Sequence, residues 1–211
     1  NSVIAQIVFS AVENTPLAVG WLMLLFMVIP YKQWNNAYSF AGFVLCFLMA
    51  VVAGMRQRTF RLDVTFLGPW LVAFFGMILA AWPLSAYPAL STRFVFFYLT
   101  CILCVIVVVS TVRTGRHLLR LLSFTSLSLL VISLYGVVQR IQGVEVNPSY
   151  VDMDLNEGMP GRVYGFFENP NAFAEVLLLL IPVAIAYMLC AKSWGGRFLG
   201  LLSAGVGCVA I

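Results

Sequence analysis

Apolar residues run along this chain in long unbroken blocks separated by short polar breaks, without sustained alternation of apolar and polar positions. Seven blocks stand out, at 16–31, 37–55, 64–82, 92–112, 118–140, 170–191 and 198–211. Continuous runs of this length predict α-helices, because a half-buried strand would alternate with period two. A helix needs about 20 apolar residues to cross a bilayer, and most of the blocks approach that length. In lipid the backbone must satisfy its own hydrogen bonds, which leaves helices or closed barrels. Barrel strands alternate faces, and these blocks do not. The expected fold is therefore all-α, a polytopic transmembrane helix bundle of about seven spans forming a single domain over 1–211. The last block, "FLGLLSAGVGCVAI", has only 14 residues, so a continuation beyond Ile211 is expected. Residues 1–15, with Glu13 and Asn14, are expected to be interfacial or part of a longer first helix. No basic n-region precedes the first block, so no signal peptide is expected.

Composition sharpens this reading. Hydrophobic residues make up 62% of the chain and charged residues 9%, where a soluble domain carries about a quarter charged. Mean hydropathy is +0.99. The five cysteines, Cys46, Cys101, Cys104, Cys190 and Cys208, all fall inside apolar blocks. They read as small apolar filler, with no disulfide, no metal site and no cofactor expected.

The polar breaks carry an orientation. Arg56, Arg58, Arg61, Arg113, Arg116, Arg120, Lys192 and Arg197 fall in one set of alternate breaks. The other set holds only Lys32, Arg93, Arg140 and Arg162, together with Glu145, Asp152, Asp154, Glu157 and Glu168. Cytoplasmic loops are enriched in Lys and Arg, so the N-terminus is expected in the cytoplasm and the 141–169 loop outside. The net charge of +4 mostly reflects this asymmetry and is no argument for nucleic acid. The expected location is the cytoplasmic (inner) membrane, with the lipid bilayer as solvent and partner.

Most of the chemistry gathers in "GRVYGFFENPNAFAE", residues 161–175. Asn169 is a strong N-cap and Pro170 suits the first helical position. A helix N-terminus facing outward offers free N–H groups and a partial positive charge, which suits an anion. Arg162, seven residues before the cap, is placed to fold back over the same spot, and a guanidinium fork grips phosphate at two oxygens. Asn171 and Glu175 are four apart and so near one helix face. Glu175 lies about 7–8 Å along the helix from Pro170, just below the interface. An intramembrane carboxylate usually faces a polar cavity or a partner. Pro182 is expected to kink this helix. The plainer reading is ordinary capping by Asn169 and Pro170, a snorkelling Arg162 and a packing role for Glu175. Asp152 and Asp154 form an Asp-x-Asp pair that reads as solvated loop.

The run "GRVYGFFENPNAFAEVLLLLIPVAIA" (161–186) resembles a segment of the O-antigen ligase and polymerase superfamily: Arg-x-x-Gly, a short gap, Asn-Pro-Asn, then an apolar helix with a proline. "AWPLSAYPALSTRFVFFYL" (81–99) is similar to a Trp–Ser turn of that family, two spans upstream. The resemblance covers the N-terminal and central part of such a protein. It implies a multi-helix enzyme that transfers or polymerises polyprenyl-diphosphate-linked glycan on the outer face of the membrane. It further implies Arg162 as a diphosphate contact, with Arg93 and Arg140 as weaker candidates; Asn169, Asn171 and Glu175, read from the helix start itself, complete the expected substrate-binding set. Glu175 or Glu168 is a candidate base for the acceptor. The family's catalytic histidine or arginine lies in a second, more C-terminal external loop. The sole histidine, His117, falls on the expected cytoplasmic side and does not match it. Two other readings stay open. One is a membrane transporter of a small anion such as bicarbonate. The other is a noncatalytic subunit bound to a further membrane protein, for which the small residues Gly196, Gly200, Ser203 and Gly207 would suit helix packing.

Overall fold

The computed structural model describes residues 15–33, 35–57, 68–144, 161–167 and 169–211. Glu13, Asn14, Arg58, Arg61, Asp152, Asp154, Glu157 and Glu168 lie outside the described residues. Among those described, the regular structure is helical: α1 (Thr15–Val28), a single 3-10 turn (Tyr31–Gln33), α2 (Asn36–Gln57), α3 (Pro69–Ala81), α4 (Pro88–Thr111), α5 (Gly115–Gln142), α6 (Pro170–Cys190) and α7 (Trp194–Ala210). Three of these, α4, α5 and α6, are long and apolar enough to cross a membrane. By length and composition they mark a membrane protein. Of the others, α1, α3 and α7 are shorter apolar helices, and α2 contributes the apolar stretch Ala37–Val52.

Where helix boundaries differ from the apolar blocks, the cause is local. The fourth helix begins at Pro88, before the block at 92, because Pro88 supplies a preset φ at the first position. The last begins at Trp194 because the Ser193 hydroxyl accepts the Gly196 N–H at 3.1 Å. The helix over the block at 64–82 spans 13 residues from Pro69. The fifth runs 28 residues, about 42 Å at ~1.5 Å per residue, longer than the apolar core of a bilayer.

The chain divides into two compact units, Asn1–Leu22 with Trp34–Leu118, and Met23–Gln33 with Leu119–Ile211. In the first, α2 packs along α4. Ser39, Phe43, Cys46 and Ala50 of α2 are buried, as are Val95, Thr100 and Val107 of α4. Steps of three and four residues keep the α2 set on one helix face. Phe40 meets Phe96 edge-on at 5.6 Å. His117 has a structural place: its Nδ1 lies 3.2 Å from the Thr111 carbonyl oxygen, and its backbone N–H donates to the Thr114 hydroxyl. It thereby ties the end of α4 to the start of α5.

The second unit is built on α5, α6 and α7. Its core is Leu129 and Ile132 from α5, Phe173, Leu177, Ile181 and Ala184 from α6, and Ala204 from α7. The α6–α7 hairpin turns in three residues, and Arg197 Nε donates to the Ala191 carbonyl at 3.0 Å. Gly196, Gly200, Ser203 and Gly207 are all buried, and the three glycines meet α6 or its C-terminal turn within the chain. The small-residue stripe is thus occupied internally by close helix packing. At Gly200 a Cβ would stand 2.7 Å from both the Ala184 carbonyl oxygen and the Met188 backbone nitrogen. Backbone atoms cannot swing aside, so Gly200→Ala is expected to destabilise the hairpin by about 1–3 kcal/mol. Gly205→Ala, where a Cβ meets open space, is the internal control and is expected to be neutral or slightly stabilising. Thermal unfolding of both variants checks this; equal stability would mean that α6 and α7 do not pack at Gly200.

Candidate functional site

Residues 161–175 assemble from two local devices. The first is the N-terminus of α6. Asn169 caps it, its side-chain oxygen accepting the Asn171 N–H at 2.8 Å, and Pro170 occupies the first position. The Asn169 carbonyl also accepts the Phe173 N–H at 3.1 Å. This corrects the expectation of several free N–H groups. Pro170 has none, and those of Asn171 and Phe173 are bonded, which leaves the Ala172 N–H within the first turn. An anion here must be held mainly by side chains and by the helix dipole.

The second device is the loop 161–167, which is pinned to α5. The buried Gln139 amide grips Gly165 at two points: Gly165 N–H donates to Oε1 at 2.8 Å, and Nε2 donates to the Gly165 carbonyl at 3.3 Å. Gly165 has φ +57°, a left-handed conformation that glycine adopts without steric cost. Tyr135 stacks on Phe166 with ring centroids 4.3 Å apart and planes 7° from parallel. The Phe166 carbonyl accepts the Tyr31 N–H at 2.9 Å. The Phe173 ring is wedged between two glycines. A Cβ on Gly136 would stand 2.7 Å from it, and one on Gly165 would stand 2.8 Å away.

Between α5, this loop and the ends of α6 and α7 lies a cavity of about 740 Å3. Arg140, Arg162 and Asn171 line it, with Val137, Ile141, Leu177 and Val209 among its apolar walls. Both arginine side chains are exposed. No carboxylate lines the cavity among the described residues. The site therefore combines two guanidinium groups with a long apolar wall, which suits an amphiphilic anion.

Of the residues singled out from the sequence, Arg140, Arg162 and Asn171 come together at this cavity, and Asn169 sits behind them as the helix cap. Glu175 does not line it; its side chain is exposed. The reason is angular. Pro170, Phe173, Ala174 and Leu177 face the cavity with Asn171 at the edge of that arc. At 100° per residue, Glu175 falls a further ~40° beyond Asn171, outside the arc. The expectation that its carboxylate faces the cavity is corrected accordingly. Arg93 belongs to the first unit and is not among the lining residues.

The Trp–Ser turn also lies in the first unit. Trp82 Nε1 donates to the Thr92 hydroxyl at 3.1 Å and to the Pro88 carbonyl at 3.3 Å, and Ser85 and Ser91 share a hydrogen bond of 2.6 Å. These groups bond to one another and fasten the start of α4. Sequence reasoning missed Gln139, Gly136 and Phe173. Gln139 carried a usable signal, because a neutral amide inside an apolar helix must find a partner. No protein-family model matches the chain, and no curated protein and no solved structure matches it either.

Proposed function

We propose that this chain is the N-terminal and central part of an integral membrane glycosyltransferase that ligates or polymerises polyprenyl-diphosphate-linked glycan. In this reading the helices form a bundle of about seven spans in the cytoplasmic membrane. The N-terminus is cytoplasmic, as the loop charges favour, and the cavity opens on the outer face. The observation that carries the proposal is the presence of Arg140 and Arg162 at one cavity whose other walls, Asn171 aside, are apolar. A polyprenyl diphosphate has matching parts, a doubly phosphorylated head and a hydrocarbon tail.

In such a transfer an acceptor hydroxyl attacks the anomeric carbon and gives its proton to a general base, the anomeric C–O bond to the diphosphate breaks, and the leaving diphosphate takes the electron pair. Charge develops on the leaving oxygen. Guanidinium groups fixed there stabilise the transition state more than the ground state. Arg162 is fixed by its pinned loop, and Arg140 is one residue from the Gln139 clamp. The described residues thus supply the leaving-group side of the reaction. Among the described residues no carboxylate lines the cavity, so in this reading the general base comes from outside them.

The test is transfer by the intact protein from a polyprenyl-diphosphate-linked oligosaccharide, with a photoreactive group in the first isoprene units. Crosslinks to Ile141, Leu177 or Val209 together with transfer are expected. Specific uptake of bicarbonate with neither crosslinking nor transfer would replace this reading with anion transport.

A further inference from the structure

At the far end of α6 lies a second site with different chemistry. The helix spans 21 residues, about 32 Å at ~1.5 Å per residue, which is the thickness of a bilayer's apolar core. With α6 crossing the bilayer, as its length and composition allow, its two ends lie at opposite membrane faces. At its C-terminal end Met188 and Leu189, with Trp194, Arg197, Phe198 and Leu201 of α7, form a groove of about 440 Å3. Its apolar members are presented outward: Trp194 is 85% exposed and Leu189 70%. Arg197 is held in place by the bond from Nε to the Ala191 carbonyl. Its two terminal amino groups carry no bond to any described residue. Lys192, in the same turn, is exposed. Between Glu175 and Ile211 the sequence has no acidic residue, so apart from Glu175, toward the opposite end of α6, these helices carry no acid to neutralise the pair.

We propose that this groove binds an anionic phospholipid of the leaflet that meets the Lys192 end of the hairpin. The Arg197 fork, aimed by its Nε contact, takes two oxygens of the lipid phosphate. Lys192 adds a second cation at headgroup level. Trp194 sits where tryptophan is favoured, at the boundary between headgroups and hydrocarbon. One acyl chain lies along Leu189, Phe198 and Leu201. The apolar wall argues for a lipid rather than a soluble anion. The absence of an acid beside the cations leaves a zwitterionic headgroup's ammonium without a partner. This site is independent of the glycan reading, sharing with it only the membrane setting.

Fluorescence quenching tests it in the intact protein. The protein is placed in phosphatidylcholine vesicles doped with either brominated phosphatidylglycerol or brominated phosphatidylcholine. Subtracting the Trp194→Phe variant isolates the Trp194 signal from the other tryptophans. Brominated phosphatidylglycerol is expected to quench that signal at a roughly 25-fold lower mole fraction, about fivefold for each cation. Lys192→Gln and Arg197→Gln are each expected to lower this preference about fivefold, and Arg197→Lys to lose part of it, because it keeps the charge but not the fork or the Nε contact that aims it. Should Arg197→Gln fail to insert because it also loses the Ala191 contact, Lys192→Gln decides alone. Equal quenching by the two headgroups, or an undiminished preference in Lys192→Gln, overturns the proposal. Displacement of the brominated lipid by inorganic phosphate at matched ionic strength would show a soluble-anion site and overturns it as well.

Discussion

Replacing Arg162 with alanine is expected to lower glycan transfer by the intact protein roughly 10- to 150-fold, the effect of losing one charge-assisted contact to the leaving group. Arg162→Lys is expected to be nearly as harmful, because it keeps the charge but loses the planar fork that grips two oxygens. The loss should appear mainly in kcat, since the charge on the leaving oxygen develops in the transition state. Protein level and membrane insertion should be unchanged. The Arg162 side chain is exposed at the cavity, whereas the loop is held by Gln139, Phe166 and Gly165. Arg140→Ala is expected to fall in the same direction by a similar factor. Full transfer by the Arg162→Ala protein at normal abundance would defeat the diphosphate clamp and leave 161–171 as ordinary helix capping.

What could be read from the sequence follows from how local each cause is. The Asn169 cap and Pro170 start were legible because a cap is decided within three residues. The helical class was legible because unbroken apolar runs exclude alternating strands. Arg162 was placed near the α6 terminus because seven residues of loop cannot carry it far. Arg140 arrives at the same cavity from another helix, a meeting that no spacing in the sequence encodes. Glu175 shows the limit of a face argument: the rule that residues four apart share a face leaves a ~40° offset, enough to carry the carboxylate out of the cavity. The count of spans was legible only as apolar blocks. Gly68 and Pro69 at its start and Pro83 just past its end hold α3 to 13 residues. The Gln139 clamp depends on a bond across 26 positions, and the Phe173 wedge on glycines from two other segments. Both are products of packing, not of pattern.

The wedge leads to the largest expected loss of stability. At Gly165 two costs fall on one substitution. The backbone sits at φ +57°, which costs an L-residue about 1–2 kcal/mol. A Cβ there would also press on Phe173 at 2.8 and 2.9 Å. An isolated ring would swing aside, but this one has Gly136 against its opposite edge, with even less room. Overpacking of that kind adds about 1–3 kcal/mol. Gly165→Ala is therefore expected to destabilise the second unit by about 2–5 kcal/mol in thermal or denaturant unfolding. The two costs can be separated. Gly165→Asn relieves only the backbone part, because asparagine tolerates the left-handed region, so it should remain destabilised by the ring contact. Adding Phe173→Leu to Gly165→Ala removes ring atoms where the new methyl needs space, and should recover part of the loss even though Phe173→Leu alone weakens the core. The protein that still folds should also transfer glycan poorly, because Arg162 is three residues from the displaced glycine and Gln139 can no longer hold both ends of its amide. A Gly165→Ala protein within about 0.5 kcal/mol of the wild type, the range of an unconstrained surface site, would mean that the loop is not pinned between α5 and α6. Arg162 would then have no fixed position over the cavity.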